Sequence, residues 1–306
     1  MKKAIFLSIF LFVIVDCGLR YTKDIYSIDF MFNWFFLDQR VETLIRSSGT
    51  QSQEFGVPLN SSGFRGFWEF GQEKKGMRII ITGAGHSYAD NISYGHAWPE
   101  IVKRKLNENG TTAEIWNLSV NGSTVLFIER GFLSDIINSN PDFVILSHSG
   151  YNEAIFSRIL EEDTLKPNHL FHNLLFASEI FRTSYQLFHN QTTDKLQNKV
   201  PVETFSKSYE NIITQLQNNN ISVILLQQEV ITPDIGIYWK LSELESYRTA
   251  FKELARKYKV PRIDPRMLII GNQEEYFERQ EYYSQKMHDK IGKKMGDTIK
   301  KLMKKQ

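Results

Sequence analysis

The chain has 306 residues, 42% hydrophobic and 24% charged, which is enough apolar material for a large buried core and excludes a disordered, highly charged chain. A formal net charge of +2 excludes a dedicated nucleic-acid binder, whose basic surface would dominate the balance. With Cys17 as its single cysteine, the chain cannot carry an internal disulfide framework.

The N-terminus reads as a targeting segment. Lys2-Lys3 precede residues 4–15, an uncharged and almost wholly apolar run. It falls short of the roughly 20 residues that cross a bilayer and fits the core of a signal peptide or a short anchor over residues 1–17. Ile14-Val15-Asp16-Cys17-Gly18 resembles a bacterial lipoprotein cleavage site, with Asp16 where that pattern prefers a small uncharged residue. Lipidation of Cys17, and a plain signal or anchor with an incidental cysteine, both stay open. Either one places the rest of the chain outside the cytoplasm, at the cell envelope, with membrane attachment through the N-terminus as an option.

Residues 18–70 read as a lead-in, dense in aromatic side chains at Phe30, Phe32, Trp34, Phe35 and Phe36. From residue 71 to 306 the pattern alternates. Strands are expected at 77–83, 112–119, 142–148, 221–229 and 260–264, and helices near 97–108, 124–138, 203–219, 240–258 and 289–303. Val144-Ile145-Leu146 and Val223-Ile224-Leu225-Leu226 lack polar alternation, as expected of central strands covered on both faces. Alternating strands and helices imply an α/β fold with a parallel sheet between two helical layers. Residues 153–200, long and aromatic, read as a helical insertion over the site, with a pair of packed helices as the alternative. The lysines at 290, 293, 294, 300, 301, 304 and 305 suit the wet face of a terminal helix, a reading preferred to a lipid- or phosphate-binding patch.

In parallel α/β folds ligands gather at the carboxyl ends of the strands. The segments expected there are Gly83-Ala84-Gly85-His86-Ser87, Asn117-Leu118-Ser119-Val120-Asn121-Gly122-Ser123 and Ser147-His148-Ser149-Gly150-Tyr151-Asn152-Glu153, with Gln285-Lys286-Met287-His288 near the C-terminal helix. Four such blocks in this order resemble the SGNH (GDSL-type) hydrolase superfamily, over roughly residues 60–306. The lead-in Asn60-Ser61-Ser62-Gly63-Phe64-Arg65-Gly66 and Trp98-Pro99 with Ile101, Val102 and Leu106 belong to the same resemblance. It implies a three-layer α/β/α sandwich of flavodoxin-like type, with no cofactor and with a small-molecule, glycan or lipid ester as ligand.

The chemistry implied is ester hydrolysis, in which a serine attacks and a histidine relays its proton while backbone and amide N–H groups hold the oxyanion. The resemblance places Gly122 and Asn152 at the oxyanion positions and His288 at the base. Two registers stay open at the first block. In one, Gly85 occupies the nucleophile position and the serine is absent. In the other, Ser87 is a displaced nucleophile, which requires a longer strand-to-turn junction. Gln285 stands where the family has an aspartate; it can hold the His288 ring by a hydrogen bond but supplies no charge, and Asp289 reads as a helix N-cap instead. An esterase of weak activity and an inactive relative that binds an acylated glycan or lipid are therefore both carried forward. His86, His96, His148 and His288 lack metal-ligand spacing, and the Gly83 turn lacks the further glycine or Gly-Lys-Ser/Thr of a nucleotide site, so neither group is expected.

Overall fold

The computed structural model describes residues 59–89, 91–108, 110–157, 197–229, 241–278 and 282–304. The chain divides into two compact units, Met1–Arg40 with Ser157–Gln197, and Val41–Phe156 with Asn198–Gln306. All elements below belong to the second. The expected targeting segment and most of the expected insertion lie outside the described residues.

Five strands form one parallel sheet: β1 (Met77–Thr82), β2 (Ala113–Asn117), β3 (Phe143–Leu146), β4 (Ser222–Leu226) and β5 (Arg262–Ile263). Their spatial order is β2-β1-β3-β4-β5, the flavodoxin-like arrangement, with its topological switch point between β1 and β3. Ile79 pairs with both Ile115 and Phe143, and Thr82 pairs with Leu146. The helices are α1 (Gly85–Tyr88), α2 (Trp98–Asn107), α3 (Val125–Gly131), α4 (Leu133–Asn138), α5 (Val202–Asn218), α6 (Leu241–Lys257) and α7 (Gln285–Met303). A small antiparallel pair, β6 (Phe277–Glu278) and β7 (Tyr282–Tyr283), precedes α7.

Alternation along the strands divides the core into two layers. Ile79, Ile81, Ile115, Phe143, Ile145, Ile224 and Leu226 join one cluster with Trp98, Val102 and Leu106 of α2 and Met287, Ile291, Met295 and Ile299 of α7. Helix α5 packs against α3 and α6 and also contacts β4. In α5 the buried residues Phe205, Tyr209, Ile212, Ile213 and Leu216 recur at helical spacing on one face.

Two boundaries differ from the expected ones. The expected helix 124–138 breaks at Phe132, whose φ of −135° follows Gly131. Its ring sits 5.3 Å from Phe64 and 5.1 Å from Phe127, and this aromatic packing outweighs helical continuity. The C-terminal helix begins at Gln285, not 289, because Ser284 supplies the first acceptor: its carbonyl takes the N–H groups of Met287 and His288. Asp289 therefore lies inside α7 and is not its N-cap.

Helices α2 and α7 approach most closely at Gly292, where an added Cβ would stand 2.6 Å from both Cβ and Cγ2 of Ile101 and 3.1 Å from the Trp98 carbonyl. Gly292→Ala is expected to destabilise the domain by about 1–3 kcal/mol through overpacking, despite alanine's better helix propensity. A urea midpoint equal to or above that of the wild type would contradict this close approach.

Candidate active site

The site lies at the switch point. After Thr82, β1 passes through Gly83 and Ala84 into the short turn α1. Hydrogen bonds past the strand ends fix this junction, with Ser147 N–H on the Thr82 carbonyl at 2.9 Å and Val120 N–H on the Gly83 carbonyl at 3.0 Å. Gly83 must be small, since a Cβ there would meet Ser87 Oγ at 2.8 Å and Ser147 Cβ at 3.0 Å. The turn closes on Ala89, which adopts the left-handed conformation (φ 58°), costly for a residue with a Cβ. Arg65 secures it from the lead-in. Its buried guanidinium donates to the carbonyls of Tyr88 and Ala89, and to that of Ile92 at 2.7 Å. The 60–66 turn that delivers Arg65 is held by Asn60, whose side chain accepts from Ser62 N–H (3.1 Å) and Phe64 N–H (2.8 Å).

With β1 ending at Thr82, Gly85 is the first residue of α1 and Ser87 the third. A Cβ on Gly85 would stand 3.0 Å from Asn121 Oδ1, so the Asn121 side chain leans over the place where a nucleophile would project. Ser87 points elsewhere. It is fully buried, and its hydroxyl bonds to Ser147 Oγ at 2.9 Å, beneath the turn.

Gly122 has φ 74°, a conformation that suits glycine in the tight turn after β2. Asn152 is buried, and its amide donates to the Ser123 carbonyl at 2.7 Å, leaving the second amide hydrogen for another acceptor. These two predicted oxyanion residues are thus tied to one short segment, 122–123. Glu153, beside Asn152, accepts the N–H of Val125 at 2.8 Å and caps α3, a bond that the N-cap Thr124 side chain does not make. The ends of the expected insertion meet here too: Lys199 N–H bonds the Ile155 carbonyl (2.8 Å) and Val200 N–H that of Glu153 (3.1 Å). Ser123 Oγ lies 2.7 Å from the Val120 carbonyl and 2.9 Å from His148 Nε2. A hydroxyl with one proton donates to the carbonyl and accepts from His148, so His148 carries its proton on Nε2.

His288 makes no hydrogen bond to Ser87. It sits in the first turn of α7, on the face buried against α2, and its Nδ1 accepts the backbone N–H of Trp98 at 3.2 Å. An acceptor Nδ1 places the proton of the neutral ring on Nε2, the opposite tautomer from a base that takes a serine proton through Nε2. That Nε2 has no hydrogen-bond partner among the described residues. Burial, with His86 and Arg65 as positive neighbours, pushes its pKa down to about 3. Gln285 does not hold the ring: its amide lies 3.3 Å from Asp289 Oδ1 and 3.4 Å from the His96 carbonyl. The hydrogen bond that Gln285 could have made to His288 is therefore not formed, because its amide turns along α7 toward Asp289 and across to His96 while the ring's Nδ1 is taken by Trp98.

Among the C-terminal elements, β7 packs on α1. Tyr283 lies tilted against His86, with ring centroids 4.5 Å apart and 58° between the ring planes, and its hydroxyl accepts Glu229 N–H at 2.8 Å. His86 also meets Tyr151 edge-on at 5.8 Å. This aromatic wall was not anticipated from the sequence. Its only signal was the Tyr282-Tyr283 pair ahead of a helix start. Among the described residues no three His, Cys, Asp or Glu side chains gather as metal ligands.

A five-stranded parallel sheet of this order, with a glycine turn at its switch point and a glycine and an asparagine tied together beside it, defines the SGNH type of α/β/α architecture. Residues 80–288 match the model of the GDSL-like lipase/acylhydrolase family, and the chain belongs to that family. Among solved structures it is similar in fold to an acetyl xylan esterase, at 16% identity and a TM-score of 0.51, over 73% of this chain and 100% of the other. It is similar also to a lipase/acylhydrolase from Enterococcus faecalis (15%, 0.51, 73% and 95%) and a GDSL-like lipase from Bacteroides thetaiotaomicron (12%, 0.50, 85% and 99%). No curated protein sequence matches the chain.

The depressed pKa of His288 has a direct consequence for stability. The unfolded ring titrates near 6.5 and the folded one near 3, so between these values the unfolded state binds more protons and stability falls as pH falls. The loss amounts to a few kcal/mol across that window, on the order of 1.4 kcal/mol per pH unit. In His288→Asn the amide oxygen can still accept the Trp98 N–H. This variant should lower stability at pH 7.5 yet show a shallower decline between pH 6.5 and 4.5, read from urea midpoints. Parallel pH profiles for the two proteins would refute a neutral buried His288.

Proposed function

We propose that this family member binds an ester-bearing ligand at the β1–β3 switch point and does not turn it over through a Ser87–His288 pair. The observation that carries this reading is the hydrogen bond from Trp98 N–H to His288 Nδ1, which leaves the neutral ring with its proton on Nε2 and no role as acceptor for a serine. The glycine at position 85 and the burial of Ser87 support it. Gly122 and Asn152 remain as donors to a ligand carbonyl, and half-buried Tyr151 offers an aromatic face to a sugar ring or an acyl chain, with His86 and Tyr283 buried behind it. The weak-esterase alternative requires Ser87 Oγ to leave Ser147 and emerge from beneath the turn.

The discriminating experiment combines a fluorophosphonate probe with a short-chain nitrophenyl ester. Probe labelling is expected to be absent. Ester turnover should agree within about 2-fold among wild type, Ser87→Ala and His288→Asn, since oxyanion donors alone retain only modest catalysis. Labelling that vanishes in Ser87→Ala, with turnover at least 100-fold lower in both variants, would overturn the non-hydrolytic reading.

We place the domain at the cell envelope. The support is in the sequence: Lys2-Lys3, the apolar run 4–15 and Cys17 directly after it. If Cys17 is the lipidated first residue, metabolic incorporation of a fatty-acid analogue will be detected in wild type and lost in Cys17→Ala. Absence of label from both, with the protein still exported, would favour a plain signal or anchor.

A further inference from the structure

We propose that the outward face of α7, together with the Met267–Ile270 segment beside it, is a docking surface for an anionic lipid surface. This does not rest on the function proposed above or on the N-terminal segment. Helix α7 buries Met287, His288, Ile291, Met295 and Ile299 on one side. At about 100° per residue, Lys286, Lys290, Lys293, Lys294, Lys300 and Lys301 fall on the opposite side, within an arc of about 120° and over a length of about 22 Å. Of these six, Lys286 alone makes an ion pair among the described residues, with Glu275. Asp297 is the one acid on the arc, and it is neutralised from α2 by Lys105 at 2.6 Å. The face therefore presents a long unbalanced row of cations on a domain whose chain is nearly neutral overall.

Charge alone would suit any polyanion. The second observation is apolar. Leu268 and Ile269 turn inward and pack against the core, which leaves Met267 and Ile270 pointing out, 82% and 75% exposed. They belong to the same surface, because Lys290 Nζ donates to the Leu268 carbonyl at 3.0 Å and the Pro265–Leu268 turn packs on α7. Met303, at the far end of the helix, is 37% exposed. Large apolar side chains held in water beside a cationic row have no use against a nucleic-acid backbone. They match a surface that offers negative headgroups with hydrocarbon just beneath. The segment also follows the carboxyl end of β5, the end of the sheet that carries the site, so docking there would hold the site mouth near the lipid.

The test uses the full chain in co-sedimentation with phosphatidylcholine vesicles with and without about 30% phosphatidylglycerol. Wild type should partition at least 10-fold more strongly onto the anionic vesicles, and this preference should disappear in 0.5 M salt. The triple variant Lys293→Gln/Lys294→Gln/Lys301→Gln should lose roughly 100-fold in partitioning, about 5-fold per charge. Met267→Ser/Ile270→Ser should weaken binding while leaving the salt dependence in place. All substituted side chains are exposed, and unchanged thermal midpoints will show that the fold persists. The N-terminal segment is common to every variant, so it cannot produce these differences. Hydrogen exchange should slow over 265–271 and 286–301 when anionic vesicles are added. Equal partitioning of wild type and triple variant, no protection over these residues, or tighter binding to duplex DNA than to anionic vesicles would each overturn the proposal.

Discussion

The backbone N–H of Trp98 is the group on which the rest of this structure turns. It is among the first N–H groups of α2, which have no acceptor within their own helix. Ala97, the N-cap, has no side chain to offer one. The acceptor comes from 190 residues away, as Nδ1 of His288. That single bond docks α7 on α2, at a crossing where Gly292 leaves just enough room for Ile101, and seals the apolar face of the sheet beneath both helices. It also sets the protonation of the ring. A buried imidazole that accepts at Nδ1 must be neutral with its proton on Nε2, and the surrounding positive charge of Arg65 and His86 favours that state further.

The same pattern recurs at the third block. Glu153 caps α3 through the Val125 N–H, and Asn152 holds the Ser123 carbonyl. Residues in the blocks that resemble catalytic motifs are thus bound into the termini of helices and the turns between strand and helix. Each removes an orphan donor or acceptor that would cost about 1–3 kcal/mol if left buried and unpaired. Their contribution to folding does not depend on a reaction.

Much of this is legible in the sequence. Val144-Ile145-Leu146 and Val223-Ile224-Leu225-Leu226 read as covered central strands, and both are central strands of the sheet. The Gly83–Ser87 turn read as a strand-end junction, and it stands at the switch point. The start of α7, four residues ahead of the expected one, is not legible there. With α7 expected from 289, His288 belonged to a loop and was free to face the turn. Ser284 begins the helix instead, and the residue moves onto a buried face beside Met287 and Ile291. Periodicity cannot reveal this, because Gln285 and Lys286 are as compatible with a polar loop as with an exposed first turn. The cap of α2 by His288 was equally invisible, since no local pattern links positions 98 and 288.

Charge carries the argument one step further. Hydrolysis by a serine–histidine pair passes through an imidazolium, which a carboxylate normally steadies. Around His288 the neighbours that act on its charge are His86 and Arg65, both of which oppose a proton, and Gln285 turns toward Asp289. A serine placed at position 85 would therefore meet two obstacles of different kinds. One is steric and small: Asn121 Oδ1 stands 3.0 Å from the new Cβ, at the end of a side chain that can rotate. The other is electrostatic and large, because a ring that titrates near 3 costs several kcal/mol to protonate at neutral pH, on the order of 1.4 kcal/mol per pH unit. The second obstacle dominates. It is built into the contact that closes the fold, because the same ring accepts the Trp98 N–H.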